Sequence, residues 1–231
     1  EAVVISDKSP DAKVRSTQMS MVEIPMQQVK QLPSLLGELD VLKSIQLLPG
    51  VQSGTEGLSG IYVRGGGADQ NLILLDGVPV YNVNHLFGFF SVFNPNAIHS
   101  FKLYKGGFPA RYGGRLSSVL DIKMKEGNMK EFKFDASIGL IASSLSLEGP
   151  IIKDKASFII SARRTYYDIL TYPAQKAFSK SSDVEYNGLS GYFFQDINAK
   201  VNYKFSDRSR LYLSVYTGKD KAYASIKTEY E

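Results

Sequence analysis

Three glycine-containing motifs follow one another in the first half of the chain: Leu48-Pro49-Gly50-Val51, Ile61-Tyr62-Val63-Arg64-Gly65-Gly66-Gly67 and Leu74-Leu75-Asp76-Gly77-Val78-Pro79. In the third motif, the pair Asp76-Gly77 separates two apolar segments. This pair predicts a two-residue hairpin turn, because a type I′ turn requires positive φ at both central residues. Since Pro79 has no backbone N–H to donate, we expect the second arm of the hairpin to lie at the edge of a sheet.

The residues around these motifs predict a small mixed sheet with short helices and long loops. Val41, Ile45 and Leu48 recur at helical spacing until Pro49-Gly50 ends the segment, which predicts one short helix. Asn94-Pro95 fits an N-cap followed by proline at the first helical position, and predicts about one helical turn. Brief strands are expected at residues 61–63, 72–75, 100–104 and 118–124.

From about residue 127 the pattern changes to a period of two. In the clearest segment apolar side chains alternate with polar ones, so that one face of the strand is apolar and the other is polar. The apolar set is Ile197, Ala199, Val201, Tyr203 and Phe205. Similar runs at residues 132–138, 145–147, 158–162 and 211–215 bring the expected number of strands to about five.

The connections between these strands alternate in length. They are short near residues 152–154 and 206–209, and long from about residue 168 to residue 191. Short turns on one side, longer loops on the other and one apolar face are typical of outer-membrane β-barrels. A soluble antiparallel sandwich also alternates apolar and polar residues, so the strands by themselves leave both architectures open.

Composition argues against a redox enzyme, a metalloenzyme or a nucleic-acid-binding protein. The chain has no cysteine, which excludes disulfides, iron–sulfur clusters and thiolate zinc sites, and its only histidines are His85 and His99. We therefore predict no metal site and no cofactor. The formal net charge is +4, but Lys and Arg are spread along the chain without a dense basic run, so we expect no nucleic-acid partner.

Catalysis is not predicted either. The clusters Gly65-Gly66-Gly67 and Gly106-Gly107 are not followed by Lys-Ser or Lys-Thr and do not stand in a βαβ context, which argues against a nucleotide site. No nucleophile, base and orienting acid form a recognisable enzyme motif, so we predict no catalytic residue. No apolar stretch reaches the roughly 20 residues that a spanning helix needs.

Two further motifs complete a recognisable series. The three opening motifs, followed by Phe93-Asn94-Pro95-Asn96-Ala97-Ile98 and by Tyr104-Lys105-Gly106-Gly107-Phe108-Pro109-Ala110-Arg111-Tyr112-Gly113-Gly114-Arg115, resemble the plug of a TonB-dependent outer-membrane receptor. The resemblance extends from residue 1 to about residue 125. It implies an α+β plug domain followed by antiparallel β-strands of an incomplete transmembrane β-barrel.

The resemblance also implies a division of the chain. Residues 1–21 would hold a TonB box and a flexible leader, residues 22–126 the plug domain, and residues 127–231 the first five or so barrel strands. Barrels with a plugged lumen have about 22 strands, and about five strands cannot close one. The remainder of the barrel would come from further strands or from a partner chain.

In this family, the plug gates a barrel that imports scarce nutrients by energy-coupled transport. The resemblance therefore implies a location in the outer membrane of a Gram-negative bacterium, with the plug and the N-terminus facing the periplasm. The implied partners are a TonB-type periplasmic protein, outer-membrane lipid and an imported ligand of unknown identity.

The resemblance places the TonB-binding segment near the N-terminus. The residues that look like a TonB box are Ala2, Val3, Val4, Ile5 and Ser6. Such a box adds as a strand to its partner, with backbone hydrogen bonds supplying affinity and alternate side chains supplying register. The alternative is that these residues form an ordinary first strand or linker.

Other site residues follow from the plug pattern. Arg64 would pair with carboxylates on the inner barrel wall, because a buried guanidinium requires such partners; the alternative is an exposed loop arginine. Residues 53–59, 66–70 and 81–90 would form loops facing the extracellular cavity. The substrate-binding candidates in them are Thr55, Glu56, Asp69, Gln70, Tyr81, Asn82, Asn84 and His85.

A second hypothesis is a non-transporting, extracytoplasmic β-rich binding module. It would dock glycan or protein through the aromatic loop at residues 81–90. Detergent dependence distinguishes the two hypotheses. A protein with a lipid-facing set such as Ile197, Ala199 and Val201 needs detergent, whereas a sandwich buries these side chains and does not.

Overall fold

The computed structural model describes residues 20–31, 39–54, 59–181 and 190–224. The described chain forms two parts. Residues 20–126, called here the first domain, form a mixed sheet with short helices, and the residues after them form an antiparallel sheet. The predicted fold class is confirmed.

The first domain is built from short strands and few helical turns. Its described strands are β1 (Met21–Pro25), β2 (Val51–Gln52), β3 (Tyr62–Val63), β4 (Asn71–Leu75), β5 (Val78–Pro79), β6 (Asn84–His85), β7 (Phe90–Ser91), β8 (Ile98–Tyr104) and β9 (Ser118–Met124). Its described helices are α1 (Met26–Val29) and α2 (Val41–Gln46), with 3-10 turns at Ala68–Gln70 and Leu86–Gly88.

Five of these strands form the central sheet, in the order β1-β8-β9-β4-β5. The β4–β9 pair is parallel and the other neighbours are antiparallel. One face of the sheet carries Phe101, Leu120 and Ile122, which pack with Leu42 and Ile45 of α2 in one buried cluster. Burial of each such side chain is worth roughly 1.5–3 kcal/mol, so this cluster holds the helix on the sheet.

Helix α2 begins at a well-formed cap. Asp40 Oδ1 accepts hydrogen bonds from the backbone N–H groups of Leu42 at 2.8 Å and Lys43 at 3.2 Å. The other carboxylate oxygen accepts from Ser59 Oγ at 3.1 Å and from the backbone N–H of Ser91 at 2.6 Å. One N-cap aspartate therefore ties the start of α2 to Ser59 and to the end of β7, which are distant in sequence.

The hairpin prediction at Asp76-Gly77 is confirmed. Both residues have positive φ, +50° for Asp76 and +87° for Gly77, and Leu75 pairs with Val78 across the turn. Strand β5, which contains Pro79, lies at the edge of the sheet as expected.

The helical turn predicted after Asn94 was wrong. Asn94 Oδ1 does accept a hydrogen bond from the backbone N–H of Asn96, at 3.0 Å, as an N-cap would. The segment remains a turn because β8 begins at Ile98, which already pairs with Met124 of β9. Sheet pairing leaves no room for a helix there.

The second sheet contains the strands predicted from alternation. These are β10 (Lys133–Ile138), β11 (Ala142–Ile152), β12 (Ala156–Thr165), β13 (Ser190–Ser206) and β14 (Ser209–Ala224), and each pairs antiparallel with the next. We call this sheet the wall. Its ends at residues 153–155 and 207–208 are tight turns, and we call this the turn end; the opposite end is the loop end.

The long connection predicted from about residue 168 contains a helix, α3 (Tyr167–Ser181). The connection is long, as predicted, but the helix within it was not predicted. Pro173 stands inside the helix, and an interior proline argues against a helix in any sequence pattern, because it removes a backbone hydrogen bond.

The two faces of the wall differ sharply in polarity and exposure. On β13 the inward side chains are polar and buried, with exposures of 0% for Asp196, 4% for Asn198, 5% for Lys200 and 2% for Asn202. The outward side chains are apolar and exposed, with 43% for Ile197 and 41% for Val201. A soluble sandwich would bury the apolar face, so this arrangement contradicts the sandwich alternative for the strands.

Candidate functional site

The first domain contacts the inward face of the wall through buried polar groups, and the largest cluster surrounds His85. His85 Nε2 lies 2.8 Å from Asp196 Oδ1, and Nδ1 lies 2.7 Å from Asp220 Oδ1. The imidazole ring stacks on Phe194, with ring centroids 4.1 Å apart. The imidazole of His85, which belongs to β6, is therefore held at both ring nitrogens and on one face by residues of β13 and β14.

Arg163 of β12 extends the same cluster. Its Nη2 and Nε donate to Asp196 Oδ2 at 2.6 and 3.1 Å, and Nη2 also donates to the carbonyl of Ser91 at 2.6 Å. Asp196 further accepts from Tyr216 Oη at 3.0 Å. Because Arg163 and Asp196 are both fully buried, the pair depends on these hydrogen bonds to offset the cost of removing two charges from water.

Asp76 makes the second charged contact with the wall. Its Oδ1 accepts from the backbone N–H of Met124 at 3.0 Å within the first domain. Its Oδ2 accepts from Ser214 Oγ at 2.6 Å and lies 3.0 Å from Lys200 Nζ. The motif was interpreted only as a turn, and the turn geometry in fact directs this carboxylate at a buried lysine.

Neutral and partly exposed contacts add to the interface. Asn94 Nδ2 donates to Ser161 Oγ at 2.7 Å, and Asn96 Nδ2 donates to Ser144 Oγ at 2.8 Å. Near the turn end, Glu126 Oε2 accepts from Asn202 at 3.2 Å and from Arg210 at 3.4 Å. Together with the contacts of His85, Arg163 and Asp76, we call this set the interface ladder. None of its members was singled out as a wall contact from the sequence.

Two predicted ligand-binding residues line one cavity. Asp69 and Tyr81, which come from different loops, border a cavity of about 240 Å³ together with Arg115. The Tyr81 side chain is 85% exposed, so its ring is available to a ligand. Asn82 is exposed, and Gln70 and Asn84 are half-buried. Thr55 and Glu56 lie outside the described residues, as do residues 2–6.

His85 and Arg64 have surroundings other than those predicted. His85 is 3% exposed and occupied by the wall, so a direct contact with ligand would require those contacts to open. Arg64 is exposed, and its Nη2 donates to Ser20 Oγ at 2.9 Å. No carboxylate contacts Arg64 in the described part of the chain, and its pairing with the inner wall stays a prediction.

A second polar cluster fixes the segment before β9. Tyr112 Oη donates to Asp121 Oδ2 at 3.0 Å, and the Arg111 guanidinium lies 4.8 Å from the centre of the Tyr112 ring. Burial raises the pKa of Tyr112 to about 12, with the hydrogen bond from Arg111 opposing that shift and Asp121 reinforcing it. The phenol therefore stays protonated at neutral pH and keeps donating to Asp121.

The comparison with protein families decides the identity of the first domain. Residues 13–118 match the family model described as TonB-dependent Receptor Plug Domain. The match identifies the first domain as a TonB-dependent receptor plug domain. The plug thus packs through the interface ladder onto a wall of five described strands. A search of the curated proteins gave no significant match.

Solved structures similar to this chain include two siderophore receptors and an outer membrane transporter. The siderophore receptor PirA from Acinetobacter baumannii superposes with a TM-score of 0.61 at 21% identity, over 93% of this chain and 33% of that one. PirA from Pseudomonas aeruginosa gives 0.58 at 19% identity, over 89% of this chain and 36% of that one. The outer membrane transporter YddB from Escherichia coli gives 0.58 at 13% identity, over 88% and 33%.

The chain spans about a third of the length of each of these proteins. At such identities the likeness establishes a shared fold, and it covers both the plug and the wall. Across the described ranges, no helix is long and apolar enough to cross a membrane. The same ranges contain no group of three or more His, Asp or Glu side chains placed to hold a metal ion.

Proposed function

We propose that this chain is the plug and the adjoining wall strands of a TonB-dependent receptor, which imports a scarce ligand across the outer membrane of a Gram-negative bacterium. The observation that carries the proposal is the polarity of the wall. Its inward face is polar and buried against the plug, and its outward face is apolar and exposed. That arrangement suits a sheet with lipid on one side and a plugged, polar lumen on the other.

The interface ladder suits a plug that must move. Its contacts are hydrogen bonds and ion pairs between polar side chains, each of which water can replace when the plug shifts. A neutral hydrogen bond is worth only about 0.5–1.5 kcal/mol net and one to a charged group about 1.5–3 kcal/mol, because the same groups also bond well to water. An apolar interface of the same extent would resist wetting. We infer that the plug gates the wall by exchanging these contacts for water.

Energy coupling is proposed for residues 2–6, which would add as a strand to a TonB-type periplasmic protein. The test compares Val4→Pro, Val4→Thr and the wild type for binding to the purified periplasmic domain of a TonB protein. Proline removes a backbone donor, whereas threonine keeps both the donor and the β-branched shape. We expect loss of binding for Val4→Pro and retention for Val4→Thr. Equal binding by all three proteins would overturn the assignment of the box.

Ligand contact is proposed for the plug loops that border the cavity between Asp69, Tyr81 and Arg115. The loops offer a carboxylate, a phenol ring and a guanidinium around one opening. Gln70, Asn82 and Asn84 remain candidates near this cavity, as does His85 once its wall contacts open, and Thr55 and Glu56 remain candidates on the separate loop predicted at residues 53–59. Since two structural neighbours are siderophore receptors, ferric siderophores are the first ligands to test for uptake.

The non-transporting binding module is disfavoured by the same outward face. That hypothesis requires Ile197, Val201 and their neighbours to be covered by protein, and they are exposed. Sedimentation of the purified protein with and without detergent separates the two functions. A monodisperse protein in detergent-free buffer would support the module and contradict the receptor.

A further inference from the structure

We propose that the outward face of the wall carries a binding site for a membrane lipid with a net-negative phosphate headgroup. The headgroup would lie on a basic row formed by Arg164, Lys219 and Lys221, and one acyl chain would lie in an apolar groove next to it. This inference rests on the proposed function in one respect, namely that the wall stands in a membrane.

The strand register places the three basic residues on one face. Arg164 of β12 pairs with Gln195 of β13, and Gln195 pairs with Lys219 of β14. Directly paired residues point to the same side of a sheet, and Lys221 follows Lys219 by two positions on that side. With strands about 4.8 Å apart, the Cα atoms of Arg164 and Lys219 are roughly 10 Å apart, and those of the two lysines roughly 7 Å.

This face is the lipid side of the wall. Gln195 has the same orientation as Ile197, two positions further along β13, and Ile197 is exposed. The intervening Asp196 points inward to His85 and Arg163. Arg164, Lys219 and Lys221 are all exposed, and they stand at the loop end, where the apolar band gives way to polar residues.

The charge of the row is only partly neutralised by its neighbours. Arg164 Nη2 lies 3.3 Å from Asp168 Oδ2, so this arginine is partly neutralised. Asp220, which separates the two lysines in sequence, points to the opposite face and contacts His85. Neither lysine forms an ion pair with another residue in the part of the chain that the structure describes. The row therefore presents positive charge to the membrane surface.

An apolar groove adjoins the row on the same face. It has a volume of about 440 Å³, and its wall includes Ala136, Ile138, Leu145, Ala162, Ile197 and Arg164. In the strand register Ala136 and Ala162 stand on either side of Leu145, and their small side chains leave an indentation beside it. A lipid with its phosphate on the basic row would place an acyl chain in this indentation.

Aromatic side chains flank the row at the same level. Phe193 pairs with Lys221, and its ring lies 4.7 Å from the Arg164 guanidinium. Tyr223 follows two positions after Lys221 on the same face and is exposed. Aromatic rings at this depth are typical of the boundary between hydrocarbon and headgroups. Cations at that boundary meet phosphate groups, which ammonium and guanidinium groups bind well.

The test measures lipid binding by the intact membrane-inserted protein in nanodiscs. Phosphatidylglycerol and phosphatidylcholine with identical chains are the probes, and the retained lipid is counted by native mass spectrometry. The key variant is K219Q/K221Q, and K219R/K221R is its charge-preserving partner. K153Q/K155Q is the matched control, since it removes two lysines from the turn end of the same wall.

We expect the wild type to prefer phosphatidylglycerol. K219Q/K221Q should lose about tenfold or more of that preference, because each cation near an anionic surface contributes on the order of 1 kcal/mol. The arginine variant and the turn-end control should keep it. Ala162→Phe, which fills the groove, should weaken retention of both lipids.

Three results would overturn the inference. They are equal retention of the two lipids by the wild type, an unchanged preference in K219Q/K221Q, and complete displacement of phosphatidylglycerol by inorganic phosphate. The last result would indicate a free-anion site. TonB binding and ligand uptake are measured on the same variants, and both should match the wild type. If the wild type and Val4→Thr failed to bind the TonB protein, the proposed function would fail, whereas the lipid site is judged from lipid retention alone. The two failures can therefore be distinguished.

Discussion

At the scale of single residues, Asp76 shows what sequence can and cannot predict. Local backbone preference predicted the hairpin turn correctly, because positive φ at Asp76 and Gly77 is a property of those two residues alone. The contacts of its carboxylate with Lys200 and Ser214 were not predictable, since these partners are more than a hundred residues away. The same holds for His85, whose partners Asp196 and Asp220 belong to other strands.

Replacement of Asp76 should loosen the plug from the wall. In Asp76→Ala, Lys200 becomes a buried charge without its carboxylate, and Met124 loses the acceptor of its backbone N–H. Removal of one partner from a buried pair costs about 3–5 kcal/mol. Hydrogen exchange should report this as faster exchange of the Met124 amide and a lower denaturant midpoint for the plug.

Asp207→Asn is the matched control for Asp76→Ala. Asp207 pairs with Lys204 at the surface, with its side chain 92% exposed, so its loss should leave both readouts unchanged. Equal effects of the two substitutions would contradict the anchoring role of Asp76.

At the scale of elements, the strands were predictable and the exceptions were not. Strict alternation of apolar and polar residues predicted β10 to β14, because a half-exposed strand imposes a period of two on its sequence. Helix α3 was missed because it carries Pro173 in its interior. A helical turn was predicted after Asn94 because Asn94-Pro95 is a typical helix start. The segment is instead a turn, because Ile98 already pairs with β9.

A charged substitution on the outward face of β13 should impair membrane insertion more strongly the closer it lies to the bilayer midplane. Val201→Lys places an ammonium group within the apolar band and should cost about 2–4 kcal/mol at the bilayer midplane. Phe205→Lys makes the same kind of change on the same face, one position before the end of β13, where the cost falls to about 0–1 kcal/mol. The fraction of protein that folds into lipid vesicles, measured by protease resistance, should be lower for Val201→Lys. Similar fractions for the two variants would argue that this face is not in lipid.

At the scale of the whole molecule, the order of motifs predicted the architecture better than it predicted the interface. The five motifs in series resemble a receptor plug, and that resemblance together with the alternating strands after residue 127 indicated a plug followed by wall strands. The interface depends on pairs of side chains that meet only when both parts are folded together. Local sequence patterns do not specify such pairs, so the interface ladder could not be predicted from them.

A covalent link across the interface should stop plug movement. Asn94 and Ser161 face each other from plug and wall, with side-chain atoms 2.7 Å apart, and the chain has no cysteine of its own. In Asn94→Cys/Ser161→Cys, a short bis(methanethiosulfonate) reagent, which joins two thiols through disulfides and releases methanesulfinate, should link the two parts and abolish ligand uptake. Reductive cleavage of the link should restore uptake, and each single cysteine variant should remain active under the same treatment. Uptake that persists in the fully linked protein would show that the plug need not leave this contact.

The buried polar face of the wall has a consequence for the cell. Side chains such as Asn198, Lys200 and Asn202 are dry only while the plug covers them. Once uncovered, they would attract water at once, and the resulting aqueous path would conduct ions. Every import event would then carry a risk of leakage. A receptor built in this way should open only a narrow passage for a short time, while most of the plug keeps its contacts with the wall.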